Sequence, residues 1–194
     1  MTISIHSHNL SKIPTSDYHD LLRLRFKVFN GRLQWDLETQ QGMETDQYDV
    51  EQAHYLYAKE DGGHLVGCWR ILPTTDSYML KDTFPELLGV QTAPIGERIY
   101  ELSRFAVDKD YSKRVGGVSN VTLKMFQSLY EHAQEHDIDS YVTVTSAAVE
   151  KLINRMNIPS SRIGDGKVHM LGSTRSVALH IPMNRQYKES VFIE

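Results

Sequence analysis

"AHYLYAKEDGGHLVGCWRILP", Ala53–Pro73, is the stretch that decides the fold. Two runs of aliphatic, aromatic and β-branched residues flank Asp61, Gly62 and Gly63, and a glycine pair after an aspartate between such runs marks a chain reversal. The two strands should pair antiparallel. Arg70 is the anomaly, because a guanidinium in an otherwise apolar strand is costly to bury unless it meets an acceptor. Cys68, two residues earlier, is the chain's one cysteine. Its setting suits a small buried hydrophobe rather than a nucleophile, and a lone thiol forms no intramolecular disulfide, which fits a reducing, cytoplasmic location.

Toward the N-terminus, Ser16 can cap a helix in which Tyr18, Leu21, Leu22, Arg25 and Phe29 keep helical spacing, with Gly31 as its stop. A polar connector over 30–50 follows, carrying Trp35, Glu44, Asp46 and Asp49. Beyond the hairpin, Pro73, Pro85 and Pro94 punctuate a long connection, in which "DTFPELL" can make one helical turn. "RIYELSRFAVD" reads as a strand, and Val118, Val121, Met125, Leu129 and Ala133 as a helix ending near Asp137. "DSYVTVTS" is a β-branched strand, and Val149, Leu152, Ile153 and Met156 mark a helix capped by Thr145 or Ser146. "KVHMLG" and "RSVALHIPM" close the chain as two strands. A hairpin followed by strand, helix and strand implies an α/β protein, a three-layer α-β-α sandwich around a mixed, mostly antiparallel sheet. By analogy, that order suits the N-acetyltransferase (GNAT) fold, which alone fixes no reaction.

With 194 residues, 40% of them hydrophobic and 24% charged, and no repeat or low-complexity tract, the chain is expected to form one domain, 1–194. "MTISIHSHNL" lacks the basic and apolar regions of a signal peptide, and no stretch approaches the roughly eighteen apolar residues of a membrane span, so no membrane association is expected. The net charge of −4 is uneven, about −7 over 1–140 and +3 over 141–194. An acidic total disfavours nucleic acid as a partner, while the basic C-terminal part can receive an acidic protein.

The chemistry-bearing residues form a pattern. Arg25, Arg70 and Arg104 need acceptors, and Glu44, Asp46, Asp49 and Glu101 need donors or cations. Gathered round one pocket, they would hold a zwitterion, guanidinium forks meeting a carboxylate and acids meeting a cation; a purely structural network is the competing account. Phe29 and Trp35 could wall a cation or a planar ring. Glu101 and Arg104 have odd spacing and would face oppositely in a regular strand, so a bulge near Leu102 or Ser103 is expected, which would also splay the strand from its neighbour. Phe84, Val142 and Val144 could line an apolar slot, with Thr143 offering a hydroxyl. "RVGGVS", with Arg114, Gly117 and Ser119, partly resembles the phosphate loop of N-acetyltransferases. The histidines have no cysteine partners, and no metal site is expected.

Together, Arg25, Phe29, Trp35, Glu44, Asp46, Asp49, Arg70, Phe84, Glu101 and Arg104, with "CWRILPTT", "YMLKDTFPELL" and "ELSRFAV", resemble the LuxI-type acyl-homoserine lactone synthases, the autoinducer synthases of bacterial quorum sensing. The resemblance runs from Arg25 to the C-terminal strands. It implies no cofactor and two substrates: S-adenosylmethionine, and an acyl group on the phosphopantetheine of acyl carrier protein. The methionine amine is acylated, and its carboxylate then closes a lactone, expelling methylthioadenosine. Glu101, through a water, is then the expected base, with Arg70, Arg104, Glu44, Asp46 and Asp49 in the catalytic set. Arg25, Phe29, Trp35, Asp46, Asp49 and Arg104 would hold S-adenosylmethionine. The acyl chain would lie among Phe84, Ser103, Phe105, Val142, Thr143 and Val144, the threonine implying acceptance of a 3-oxo group on a chain of modest length. Lys151, Arg155, Arg162 and Lys167 would receive the acidic carrier. An acetyltransferase using acyl-CoA and a silent sensor binding either ligand are the other two readings.

Overall fold

The computed structural model describes residues 2–33, 39–111, 114–115 by backbone alone, and 118–192. Its principal elements in chain order are β1 (Ile3–Asn9), α1 (Thr15–Phe26), β2 (His54–Glu60), β3 (Leu65–Pro73), α2 (Met79–Asp82), β4 (Ile99–Val107), α3 (Asn120–Glu135), β5 (Ser140–Ser146), α4 (Ala147–Arg155), β6 (Thr174–Pro182) and α5 (Arg185–Val191). They group into two compact units, Met1–Ile71 with Arg104–Ser128, and Leu72–Ser103 with Leu129–Glu194.

In the first unit β1 pairs antiparallel with β2, and β2 with β3, the hairpin turning through Asp61–Gly63. Directly opposed residues share a face. Tyr55 opposite Arg70 and Tyr57 opposite Cys68 look toward α1, where the Tyr57 hydroxyl donates to Asp17 at 3.2 Å. Leu56 opposite Trp69 and Ala58 opposite Gly67 look the other way, toward the first half of α3. There Trp69 meets Phe126 edge-on at 5.0 Å and stacks on Phe105 at 4.3 Å. Gly67 allows the close approach, since a Cβ at that position would stand 3.1 Å from Val121 Cγ1 and 3.5 Å from Met125 Cγ. α1 runs on into a π-helical turn over Lys27–Arg32, which buries Val28 and Phe29 and ends where Gly31 was expected to stop the helix.

In the second unit the start of β4 runs parallel to β5, from Ile99 opposite Ser140 to Leu102 opposite Thr143, and β5 is antiparallel to β6. Ser161–Arg162 and His169–Leu171 also pair with β6. α2 covers the face that carries Glu101, to which its first amides donate. On the opposite face His132 of α3 bonds the Tyr141 hydroxyl of β5 at 2.9 Å, and Tyr130 stacks on Tyr187 of α5 at 6.0 Å. Ser146 caps α4, its hydroxyl accepting from Val149 N. Gly164, at φ +73°, lies so close to the Leu87 carbonyl that any Cβ would strike it, which fixes the 163–166 turn against the 85–88 turn.

Each unit thus has helices on both faces of its strands and the pairing is mixed, as the element order implied. β1 and α5 were not foreseen. "ISIHSHN" alternates, but its second half is histidine and serine, and α5 has only Tyr187 and Val191 as buried anchors, too little for a periodic signal. Replacing Gly67 by valine should lower the urea midpoint by the equivalent of about 1–3 kcal/mol, the usual penalty of overpacking; an unchanged midpoint would contradict the packing of α3 on β3.

Candidate functional site

Three arginines from three elements and three carboxylates from the 43–49 segment close on one another inside the first unit. Arg25, in the last turn of α1, donates from Nε to Glu44 Oε2 at 2.5 Å and from Nη1 and Nη2 to the two oxygens of Asp49 at 2.6 and 3.0 Å. Arg70, on β3, bridges Asp46 Oδ2 at 3.0 Å and Asp49 Oδ1 at 2.9 Å. Arg104, on β4, reaches Glu44 Oε1 at 3.0 Å and Asp46 Oδ2 at 2.7 Å through Nη2. Charges therefore alternate around the group and cancel, which is the condition under which buried ions are tolerated. The Tyr55 hydroxyl adds a 2.6 Å bond to Asp49, and the Asp46 and Tyr48 amides donate to Asp49 and Asp46.

The side chains of Arg25, Glu44 and Arg70 are wholly inaccessible, Asp49 and Arg104 are 5% and 6% exposed, and Asp46 reaches 17%. Asp46 is the most open member of the group, and Arg104 beside it, like Asp49, is nearly buried. Phe29, from the π-helical turn, lies beneath this pair, the Arg104 guanidinium standing 5.5 Å from its ring centroid. Trp35 and Gly117 lie outside the described residues, as does the side chain of Arg114. Within "RVGGVS", 114–115 pair antiparallel with 118–119, and Ser119 Oγ accepts from Thr122 N at 3.0 Å, capping α3.

Arg104 itself sits at φ +56°. A left-handed backbone costs a side-chain-bearing residue about 1–2 kcal/mol, so the ion pairs of its guanidinium with Glu44 and Asp46 hold a strained position. A bulge was expected near Leu102 or Ser103; the ladder to β5 is instead regular from Ile99 to Leu102 and ends there, opposite Thr143, although β4 continues to Val107 and β5 to Ser146, and the unusual backbone is at Arg104.

Burial pushes the Asp46 and Asp49 carboxyls up, yet Arg70 beside the first and Arg25 and Arg70 beside the second outweigh it and hold both below the usual carboxylate range. Burial, aided by Asp49, raises Tyr55 and pushes Tyr18 up to about 12. Burial alone is the main reason the Cys68 thiol is pushed up to about 12, which makes it the inert hydrophobe its sequence setting suggested.

In the second unit Glu101 is fully buried. Its Oε2 accepts from Met79 N at 2.8 Å and its Oε1 from Leu80 N at 2.7 Å. Register places Val142 beside Glu101 on one face, with Ser103 and Val144 by alternation, whereas Thr143 shares the opposite face with Leu102. Phe84 is half-buried after α2, and Phe105 belongs to the aromatic group with Trp69 and Phe126 in the first unit. Lys151, Arg155, Arg162 and Lys167 are all exposed, but Arg162 is already forked onto Glu150 at 2.6 and 2.8 Å. The expectation of no metal also took the sequence to hold no H-x-x-x-H spacing, which "HAQEH", 132–136, corrects: it is an i, i+4 histidine pair. The rings stack at 4.2 Å, and the His136 Nδ1 bonds the His132 carbonyl, so the pair braces α3.

Mixed pairing, helices on both faces and a parallel ladder that opens at Leu102 define the N-acyltransferase class of fold. An acyl-CoA N-acyltransferase from Pseudomonas aeruginosa shares that fold alone, at 14% identity and a TM-score of 0.64 over 93% of this chain and 99% of its own. The chain belongs to the autoinducer synthase family, whose model matches residues 9–191. An acyl-homoserine-lactone synthase from Vibrio anguillarum is 72% identical over 98% of this chain and 99% of its own. The crystal structure of the acyl-homoserine-lactone synthase LasI is 35% identical, with a TM-score of 0.87 over 98% and 95% of the two chains. TofI, solved in a ternary complex with an inhibitor and MTA, is 27% identical, with a TM-score of 0.83 over 100% and 98%. The protein is accordingly an enzyme, an acyltransferase of the acyl-homoserine-lactone synthase type.

Tyr55, the amides of Met79 and Leu80, and Tyr48 were not singled out from sequence. Tyr55 had a usable signal, because the hairpin register sets it directly opposite Arg70. Carboxyls depressed on folding give stability that is complete above their unfolded value of about 4 and is lost as pH falls through their folded values. Urea unfolding should therefore weaken steeply below about pH 4. Asp49→Asn should be about 3–5 kcal/mol less stable at neutral pH and lose less than the wild type on acidification; parallel acid losses would contradict the assignment.

Proposed function

We propose that residues 1–194 act as one synthase domain that transfers an acyl group from acyl carrier protein to the amine of S-adenosylmethionine and then closes the lactone, yielding a quorum-sensing signal in the cytoplasm. The observation that carries the acceptor is the neutral ionic group whose most open member, Asp46, is paired with Arg104 over Phe29. S-adenosylmethionine presents an ammonium, a sulfonium, a carboxylate and an adenine, and an acid beside a guanidinium suits its charged groups, with Trp35 proposed for the ring. The MTA in the TofI complex supports this acceptor, since methylthioadenosine is what lactonisation expels. In this reading Arg25, Glu44, Asp49 and Arg70 hold the segment, buried Phe29 backs the Arg104 guanidinium rather than meeting the ligand, and Asp46, Arg104 and Trp35 face it.

The ammonium loses a proton to solvent water, and the freed amine attacks the thioester carbonyl. The C–N bond forms, the C–S bond breaks, and the amine's next proton goes to the departing thiolate, regenerating the carrier thiol. One carboxylate oxygen then attacks the γ-carbon, the bond to the sulfonium breaks, and its electron pair leaves with neutral methylthioadenosine. The second step needs positioning more than activation, because a sulfonium is already a good leaving group.

The opening of the ladder beyond Leu102 and Thr143 supports an acyl slot there. A chain entering on the Glu101 face, along Ser103, Val142 and Val144 with Phe84, would pass through the opening and meet the Thr143 hydroxyl on the other side, where a 3-oxo group finds a donor. Thr143→Val should cut the preference for 3-oxo over unsubstituted chains by about tenfold, the scale of one hydrogen bond, as read from competing acyl substrates. Exposed Lys151, Arg155 and Lys167 support an acidic carrier as the donor. Among the described residues no helix is long and apolar enough to cross a membrane.

The decisive assay supplies S-adenosylmethionine with acyl groups on carrier protein or on CoA and follows lactone and methylthioadenosine by mass spectrometry. Both products are expected in equal amounts from the carrier. Lactone from CoA alone would overturn the donor, and acylation without methylthioadenosine would overturn the acceptor. Reversing Lys151 and Arg155 to glutamate should raise the KM for the acyl carrier and leave S-adenosylmethionine affinity unchanged.

A further inference from the structure

Glu101 is the charged residue that sequence reasoning would make the proton acceptor, and its surroundings assign it other work. Both of its oxygens are committed to backbone amides, those of Met79 and Leu80, the first two residues of α2. The residue before them, Tyr78, supplies no side-chain cap, and its own amide goes to Asp82. A helix start leaves donors without intrahelical acceptors, and here a buried carboxylate from a neighbouring strand meets two of them at once. The chain beyond α2 hangs from this anchor. The Met79 carbonyl accepts from Thr83 N at 2.8 Å and Phe84 N at 2.9 Å, Phe84 starts the Pro85–Leu88 turn, and the Leu87 carbonyl accepts from Asp165 N at 3.3 Å. Protonation would turn one acceptor oxygen into a hydroxyl and cost the start of α2 one of its two anchors in every turnover.

We propose that Glu101 is a positioning residue that anchors α2 and thereby sets Phe84 and the 85–88 turn against the acyl chain, and that it does not take the proton from the amine. The proposal rests on the acyl-transfer reading given above. The anchor acts on the acyl substrate, so its loss should appear in the handling of that substrate and not in the proton step.

The test uses the full chain with acyl carrier protein and S-adenosylmethionine. In Glu101→Gln the carboxamide oxygen can still accept one amide, but its NH2 faces the other. The KM for the acyl carrier should rise about tenfold or more, as expected for a lost bond to a charged acceptor. S-adenosylmethionine affinity by calorimetry should stay within about twofold, since the ionic group is untouched. The pH profile of kcat should keep its wild-type shape, because a base would impose its own titration and an anchor does not. Disappearance of the acid limb with the acyl KM unchanged would overturn the proposal.

Should that variant fail to fold, Met79→Pro and Met79→Ala decide the matter. Proline is tolerated at the first helical position, and Tyr78, extended at φ −149° and ψ 158°, suits a residue preceding proline. Met79→Pro removes one donor and leaves the carboxylate, whereas Met79→Ala keeps the donor and removes only the side chain. A larger rise in acyl KM for proline than for alanine is expected, and equal effects would overturn the anchor. Failure of the acyl-transfer reading itself would show as wild-type protein making no lactone. In that event the Met79 and Leu80 amide resonances still report the anchor, and an absence of any shift on Glu101→Gln would overturn it.

Discussion

Three guanidiniums and three carboxylates, packed so that every positive group touches negative ones, form the constraint on which the first unit depends. None of these charges could be buried alone, and removal of any one strands its neighbours. The segment that brings Glu44, Asp46 and Asp49 contains few apolar residues, so ordinary core packing gives little hold on it. Its position is fixed electrostatically, by α1 through Arg25, by β3 through Arg70 and by β4 through Arg104. The same exchange of charges leaves Asp46 as the member of the group most open to solvent.

β4 is the element through which packing becomes chemistry. Its first residues hold a regular parallel ladder, Glu101 being held there by two amides, and three residues later the backbone turns left-handed at Arg104. That departure is sterically unfavourable for an arginine and persists because its guanidinium has Glu44, Asp46 and the Phe29 ring to meet.

Much of this architecture was legible in the sequence. Arg25 in a helical stripe and Arg70 in an apolar strand could not be buried unpaired, so their meeting with Glu44, Asp46 and Asp49 was expected, whereas Glu101, expected at the same pocket, is bound to the Met79 and Leu80 amides instead. The odd spacing of Glu101 and Arg104 pointed to a bulge at Leu102 or Ser103, whereas the unusual backbone is a left-handed residue at Arg104 itself. Other features had no mark in the sequence. The donors that occupy Glu101 are backbone amides, which every residue except proline possesses. The closure of the ionic group on itself, rather than on a ligand, depended on distances of a few tenths of an ångström. The alternation that sends Thr143 to the face opposite Val142 was available from the period of a strand, yet it gains meaning only once the ladder is known to open there.

Amide hydrogen exchange over 43–49 tests the central claim most directly, because the Asp46, Tyr48 and Asp49 amides are all bonded within the segment that the arginines hold. In Arg25→Met those amides should lose most of their protection while the β2 and β3 amides keep theirs. Unchanged protection across 43–49 would show that something other than the charge pairing holds the segment, and would contradict the account.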